Sequence, residues 1–271
     1  MLLPTVAVEK PWGRDQLPAP FDKQAGKRIG EIWFEPPTEM PDLLVKYIFT
    51  SEKLSVQVHP SDEQTLATGL GKQGKEECWL VIDAEPGAKL GIGFGDEIDV
   101  ATLRMAANDG SIEQLIAWHD VQRGDFFYIP ANTVHAIGAG CAIIEIQQNS
   151  DITYRLYDYG RPRELHLDQG LAIARTMPHD EALRQHLPER GSIALVGGPH
   201  FTLDRVEGSP SAAIAARYPA GLLVIPLYTP IDVGYIRVDP GQCAFAQTLA
   251  DIHFSKYGQC LLAATWTSGS S

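Results

Sequence analysis

Glycine and proline cut most of this chain into short runs, and that punctuation is what most limits the folds open to it. With 25 glycines and 19 prolines, the strand-like stretches between them are only five to eight residues long. Candidate strands lie at 43–50, 54–59, 76–83, 126–130, 133–137, 141–148 and 152–157, and in 54–59 Leu54, Val56 and Val58 alternate with Ser55, Gln57 and His59, as side chains on opposite faces of a strand do. Short strands at this spacing predict an antiparallel sandwich or barrel. FTLDRV at 201–206, GLLVIPLY at 221–228, DVGYIRV at 232–238 and QCLLAATW at 259–266 predict a second, shorter β-rich unit.

Helical patterns interrupt the strands. DVATLRMAAN at 99–108 ends at Asp109-Gly110, and SIEQLIAW at 111–118 opens with Ser111 and carries Gln114 three residues on, the spacing of a capping box. LDQGLAIA at 167–174 and HDEALRQHL at 179–187 form a helical piece that divides the chain. The expected division is residues 1–165, with a helical insert near 97–119, and residues 166–271, a connector followed by the shorter unit.

A net charge of -12 argues against a general nucleic-acid or anionic-membrane surface, though a few local cations can still receive a small anion. No stretch approaches the ~20 apolar residues of a membrane span, and no cleavage-type leader opens the sequence. The four cysteines, at 78, 141, 243 and 260, form no CxxC pair and fit reduced thiols in a cytoplasmic protein. The closing TSGSS reads as a flexible tail.

The chemistry concentrates in SVQVHPSDE, residues 55–63, where Ser55, Gln57 and His59 share one strand face. Glu77 lies in KEECWLVID, and His135 closes GDFFYIPANTVHAI. Gln57, His59, Glu77 and His135 offer a mixed nitrogen and oxygen set that suits zinc and other divalent first-row ions. Taken singly, a strand histidine is more often packed or solvent-facing than a ligand. The spacing raises the case: Gly124, Pro130 and His135 fit G-x5-P-x4-H, a strand, turn and strand that bring a histidine back to a barrel mouth.

That pattern resembles the cupin barrels. LSVQVHPSD, KEECWLVIDAEPGA, GDFFYIPANTVHAIG and IIEIQQNSDITYRLYDYGR, with VEKPWG before them and RELHL after, resemble in order the blocks of the type I phosphomannose isomerases, over roughly residues 5–175. GEIWFEPP resembles the family's GE-x-W-E segment, with Pro36-Pro37 as a departure. The resemblance implies a mainly β fold, a cupin-type antiparallel jelly-roll barrel with a small helical insert and a second, shorter cupin-like unit. It implies one divalent ion per chain, zinc or another, held by Gln57, His59, Glu77 and His135. It places Ser55 against a sugar phosphate, Glu145 as the proposed base and Lys75 as an active-site lysine. The implied reaction interconverts mannose 6-phosphate and fructose 6-phosphate, with a proton moving between C2 and C1 through an enediol(ate).

The residues themselves carry part of that chemistry. In AIIEIQQ, Ile143, Glu145 and Gln147 share a face, and a carboxylate among isoleucines is one whose pKa burial can push up toward a working base. Thr153, Arg155 and Tyr157 share a face of the next strand, so Arg155 can grip a phosphate bidentately; its alternative is a structural pair with Asp151 or Asp158. Arg161 and Arg163 are candidates for supporting the mouth. His200 and His253 show no ligand spacing, and the unit that holds them is expected to be structural or a dimer contact. The expected partner is a small phosphorylated sugar, with no nucleic acid or membrane, on a monomer or homodimer. Two other readings are an iron-dependent cupin oxygenase, disfavoured by having only two fitting histidines, and a non-catalytic sugar-binding cupin, disfavoured by Glu145 and Arg155.

Overall fold

A computed structural model describes residues 1–21 and 27–266; the closing TSGSS lies outside them. The N-terminal part comprises β1 (Thr5–Arg14), β2 (Ile29–Phe34), β3 (Leu43–Phe49), β4 (Val56–Val58), α1 (Asp62–Thr68), β5 (Glu77–Ala84) and β6 (Lys89–Phe94). Then come α2 (Val100–Asp109), α3 (Ile112–Leu115), β7 (Ile116–Asp120), β8 (Asp125–Ile129), β9 (His135–Ile137), β10 (Cys141–Gln148), β11 (Tyr154–Tyr157), α4 (Leu167–Ile173) and β12 (Arg184–His186). A large sheet runs β1-β2-β3-β10-β5-β8-β12 and a small one β11-β4-β9-β6-β7. The later chain, β13 (Ile193–Gly197) and β14 (Phe201–Glu207) through β20 (Gln259–Thr265), builds a five-stranded and a three-stranded sheet.

The architecture is the expected mainly β, antiparallel one. Among the described residues the strand ladders end at open edges, so the two N-terminal sheets pack as facing layers without closing into one continuous barrel. Trp79, Val81, Phe127 and Ile143 of the large sheet meet Leu90, Ile92 and Ile137 of the small one in a shared core. The small sheet's other face, with Val56, Val58 and Ala136, is covered by Leu103, Ala106 and Leu171 of α2 and α4.

β3 and β10 are buried along their whole length. Their alternate residues serve two cores. Ile143 and Glu145 turn inward, whereas Ala142, Ile144 and Ile146 turn outward with Val45, Tyr47 and Phe49 and pack on Phe201, Leu203, Val224 and Leu262 of the C-terminal sheets. The shorter unit therefore covers the outer face of the sheet that carries much of the candidate site. Each fully buried isoleucine there contributes about 1.5–3 kcal/mol from water exclusion, and truncation of Ile144 to alanine would cost about 2–5 kcal/mol.

Two helical expectations are corrected. The stretch expected as a helix over 111–118 is helical only at Ile112–Leu115; Ile116–Asp120 is β7, paired with the edge of β6. Ser111 makes no side-chain cap bond because its own backbone is already helical (φ -67°, ψ -8°), and its hydroxyl donates to Asp109 instead, at 2.6 Å. HDEALRQHL holds a single 3-10 turn, Glu181–Leu183, and then β12, which pairs with β8 and extends the large sheet. In both places an unpaired strand edge captures a weak amphipathic helix. A capping box does form at Ser61 and Gln64, opening α1.

Candidate metal centre and substrate cleft

The G-x5-P-x4-H segment crosses from one sheet to the other: β8 belongs to the large sheet, and the turn through Pro130 and Asn132 delivers His135 to the small one. There His135 lies directly opposite Gln57 on β4. His59 follows just past β4. Glu77 is the first residue of β5 and reaches in from the facing sheet. One ligand atom from each of His59, Glu77 and His135 lies within 4.8 Å of the others.

His135 Nε2 is 3.3 Å from Glu77 Oε1, and His59 Nε2 is 3.6 Å from Glu77 Oε2. The His135 separation is close to the edge of about 3.3 Å in a tetrahedron of nitrogen and oxygen ligands at ~2.0–2.1 Å from zinc, and the His59 contact, to the other carboxylate oxygen, is longer. His59 Nδ1 faces the Ile152 carbonyl at 2.8 Å and His135 Nδ1 the Thr133 carbonyl at 2.9 Å. A carbonyl only accepts, so both Nδ1 atoms carry the hydrogen and both Nε2 lone pairs face the centre. Burial lowers the pKa of both imidazoles, with the Lys75 charge adding to the fall at His59, which favours the neutral ring in each. Glu77 Oε1 is buried with no hydrogen-bond partner. The Gln57 amide sits 3.2 Å from His135 Nε2 and 3.5 Å from His59 Nε2. A half-turn of that amide exchanges nitrogen for oxygen and directs a fourth donor to the same point. This donor set fits a divalent cation.

Lys75 is not a solvated loop lysine. It is buried, donates to Glu77 Oε2 at 2.6 Å, touches His59 Nε2 at 3.1 Å, and stands 3.9 Å from Glu145 Oε1. Glu145 lies in register between Lys46 on β3 and Trp79 on β5. Its Oε1 is 2.8 Å from Lys46 Nζ, and Trp79 Nε1 donates to its Oε2 at 2.7 Å. The expected raised pKa is overturned here. Burial does push the carboxyl up, but the Lys46 and Lys75 charges and the bonds from Lys46 and Trp79 outweigh it and hold Glu145 down at about 2.

A cleft of about 420 Å³ opens beside the ligand set, and Ser55, Gln57, Lys75, Glu145 and Arg155 all line it. Arg155 lies opposite Gln57 in the strand register. Its Nη1 donates to the Glu164 carbonyl at 3.2 Å, and its buried Nε has no acceptor. Asp158 instead holds Arg161 and Arg163, at 3.2 and 2.6 Å. Of those two, Arg163 lines the cleft and Arg161 does not. Sequence reasoning missed Lys46, Lys10, Trp12, Trp33 and Glu31, which also line the cleft. Lys46 had a signal: it is a lone cation inside the apolar run LLVKYIF. Five lining cations, Lys10, Lys46, Lys75, Arg155 and Arg163, face three carboxylates, Glu31, Glu145 and Asp151. The cleft is therefore locally positive in a protein of net charge -12.

No family model matches the chain. A mannose-6-phosphate isomerase of Bacillus subtilis (strain 168) is 35% identical over 192 residues, covering 68% of this chain and 61% of the relative. One from Streptococcus mutans serotype c is 38% identical over 169 residues, covering 59% and 53%. A protein named as a probable mannose-6-phosphate isomerase, again from Bacillus subtilis, is 36% identical over 178 residues. The chain is related to the type I phosphomannose isomerases. It spans 53–61% of the length of the curated relatives it matches. The crystal structure of the mannose 6-phosphate isomerase from Bacillus subtilis superposes with a TM-score of 0.76 at 25% identity, over 97% of this chain and 98% of that one. A variant of the phosphomannose isomerase from Salmonella typhimurium, at 12% identity, shares the fold with a TM-score of 0.73 over 98% of this chain and 99% of that one. Among the described residues, no helix is long and apolar enough to cross a membrane.

Proposed function

We propose that this chain is a metal-dependent aldose–ketose isomerase that interconverts mannose 6-phosphate and fructose 6-phosphate. The observation that carries the reading is the meeting of a buried, partly orphaned His59–Glu77–His135 set with a locally positive cleft that holds Glu145 and Arg155. Gln57, His59, Glu77 and His135 hold the ion, which we assign as one zinc per chain. When bound there, it supplies positive charge that polarises sugar oxygens or orients sugar and water.

The chain's own side chains do the rest. Arg155, with Ser55 in the same cleft, grips the phosphate and keeps the open-chain sugar extended. Glu145 takes the carbon-bound proton of C2 and returns it to C1, while the hydroxyl proton of O2 passes to O1. The carboxylate is in the right protonation state at neutral pH, but its low pKa gives it little driving force. Sugar hydroxyls competing for Lys46 would raise it. Lys75, between Glu77 and Glu145, is placed to hydrogen-bond the enediolate oxygen. The iron oxygenase and the non-catalytic sugar binder are not favoured, because the donor set has only two histidines and the carboxylate and arginine are both in the cleft.

We also assign a two-unit division, in which α4 and β12, expected beyond the boundary at residue 165, pack with the first unit, a monomeric or homodimeric state, and a cytoplasmic site of action. The last is supported by four buried free cysteines. The functional test is an assay coupled to fructose 6-phosphate formation. Turnover of mannose 6-phosphate, but not of unphosphorylated mannose, is expected. Purified, metal-supplied protein that turns over neither sugar would overturn the reading.

A further inference from the structure

The C-terminal unit sends one titratable side chain toward the metal-binding end of the N-terminal sheets. His200 precedes β14, and its carbonyl accepts from the Trp266 backbone at 3.0 Å, which anchors it to the end of β20. Its Nδ1 is 3.4 Å from Asp62 Oδ2 and its Nε2 is 3.6 Å from Glu76 Oε1. At these distances the contacts are charge pairs more than full hydrogen bonds. The two carboxylates sit on different segments. Asp62 lies three residues past His59, and Glu76 immediately precedes Glu77.

Those two segments are already pressed together. The Lys75 backbone donates to the Pro60 carbonyl at 3.0 Å, and the Gly74 backbone donates to Asp62 Oδ1 at 2.6 Å. A Cβ at Gly74 would lie 2.4–2.7 Å from backbone atoms of Pro60, Ser61 and Asp62, so only glycine permits the approach. Gln148 bonds both sides, donating to Asp62 Oδ1 at 2.8 Å and accepting from the Glu76 backbone at 2.9 Å. Tyr128 on β8 donates to the other oxygen of Glu76. Asp62 and Glu76 bring two carboxylates to this seam, and His200 faces both.

We propose that His200 is a positioning residue: a cationic clamp from the C-terminal unit that fixes the spacing between His59 and Glu77 without touching either. The shorter unit is thereby part of the metal centre as well as a cover for the large sheet. The raised pKa of His200, caused first by its contact with Glu76, fits a protonated ring between two carboxylates.

This inference rests on the metal-site reading given above, and its test separates the two. Zinc affinity is measured by competition with a chelator in the full-length wild type, His200→Ala and His200→Gln, at a temperature where circular dichroism shows all three folded. Residues that support metal ligands from behind typically shift affinity by about 10–100-fold on removal. We expect about a tenfold weaker zinc affinity in His200→Ala. A smaller loss is expected in His200→Gln, whose amide still donates to one carboxylate. Equal zinc affinity in wild type and a folded His200→Ala overturns the clamp and leaves the metal site standing. Wild-type zinc affinity in His200→Gln also overturns it, because that variant keeps a donor and lacks the cation. Should His200→Ala fail to fold, unchanged affinity in His200→Gln overturns the clamp in its place. Failure of the wild type itself to take up zinc overturns both readings.

Discussion

Lys46→Met is the substitution from which the interior of the cleft has most to lose. Lys46 and Glu145 are direct cross-strand neighbours on β3 and β10, both nearly excluded from water, with 2.8 Å between charged atoms. At an effective dielectric of about 20, such a pair attracts by about 6 kcal/mol, and the cost of burying two ions offsets much of that. Burial pushes the Glu145 carboxyl up, and Lys46, Lys75 and Trp79 together bring it from 4.5 to about 2, a net shift equivalent to about 3 kcal/mol. Removal of the ammonium strands a carboxylate that keeps only the Trp79 donor and Lys75 at 3.9 Å. We expect a loss of about 3 kcal/mol and, for a chain of this size, a fall in Tm of roughly 6–12 °C. The assay is thermal unfolding of metal-stripped protein at pH 7, followed by tryptophan fluorescence. The sign with pH follows from the depressed pKa. The pair's stabilisation is present above the ordinary carboxylate pKa and is lost as pH falls toward 2, so the gap between wild type and variant should narrow in acid. Lys46→Met/Glu145→Gln should recover much of the loss, because no unpaired charge remains. A Lys46→Met protein that melts within about 1 °C of wild type at pH 7, or a gap that does not change with pH, would refute the reasoning.

Three further outcomes follow from the site. His135→Ala should lose its full equivalent of metal in elemental analysis; and since burial holds His59 and His135 below the usual imidazole range, wild-type metal should be retained as pH drops through 6.5 and be released only further down. Arg155→Lys should keep its metal and lose at least roughly tenfold in affinity for mannose 6-phosphate, because an ammonium replaces a bidentate fork; equal affinity for the sugar phosphate and for inorganic phosphate in both proteins would remove Arg155 from the phosphate site. Glu145→Gln should stay folded and metal-loaded with turnover down by roughly 10²–10⁴-fold, and the acid limb of the wild-type rate profile should not report Glu145 near pH 4.5.

The site was more legible than its electrostatics. Two-residue spacing placed Ser55 and Gln57 on one inward face, and G-x5-P-x4-H placed His135 opposite Gln57, because strand periodicity and turn chemistry are local properties. Cys141–Gln148 could be read to its ends because both of its faces are apolar enough to register as strand. The partners of Glu145 were not legible. Lys46 lies 99 positions away in sequence, and only strand order makes the two neighbours, so a carboxylate among isoleucines read as a raised-pKa group when it is an ion-paired one. The two helices that became β7 and β12 failed for a related reason: weak local helix signals yielded to sheet edges supplied from elsewhere in the chain. His200 carried no spacing signal at all, since its contacts with Asp62 and Glu76 exist only when the two units are packed together.

Zinc titrated into chelator-treated protein, with conversion of mannose 6-phosphate to fructose 6-phosphate followed at each addition, tests the central claim most directly. A metal-dependent isomerase built on Gln57, His59, Glu77 and His135 predicts no turnover in the stripped protein and a rise that reaches its plateau at one equivalent per chain. Full turnover in the stripped protein, or none at any zinc ratio in folded protein, would contradict it.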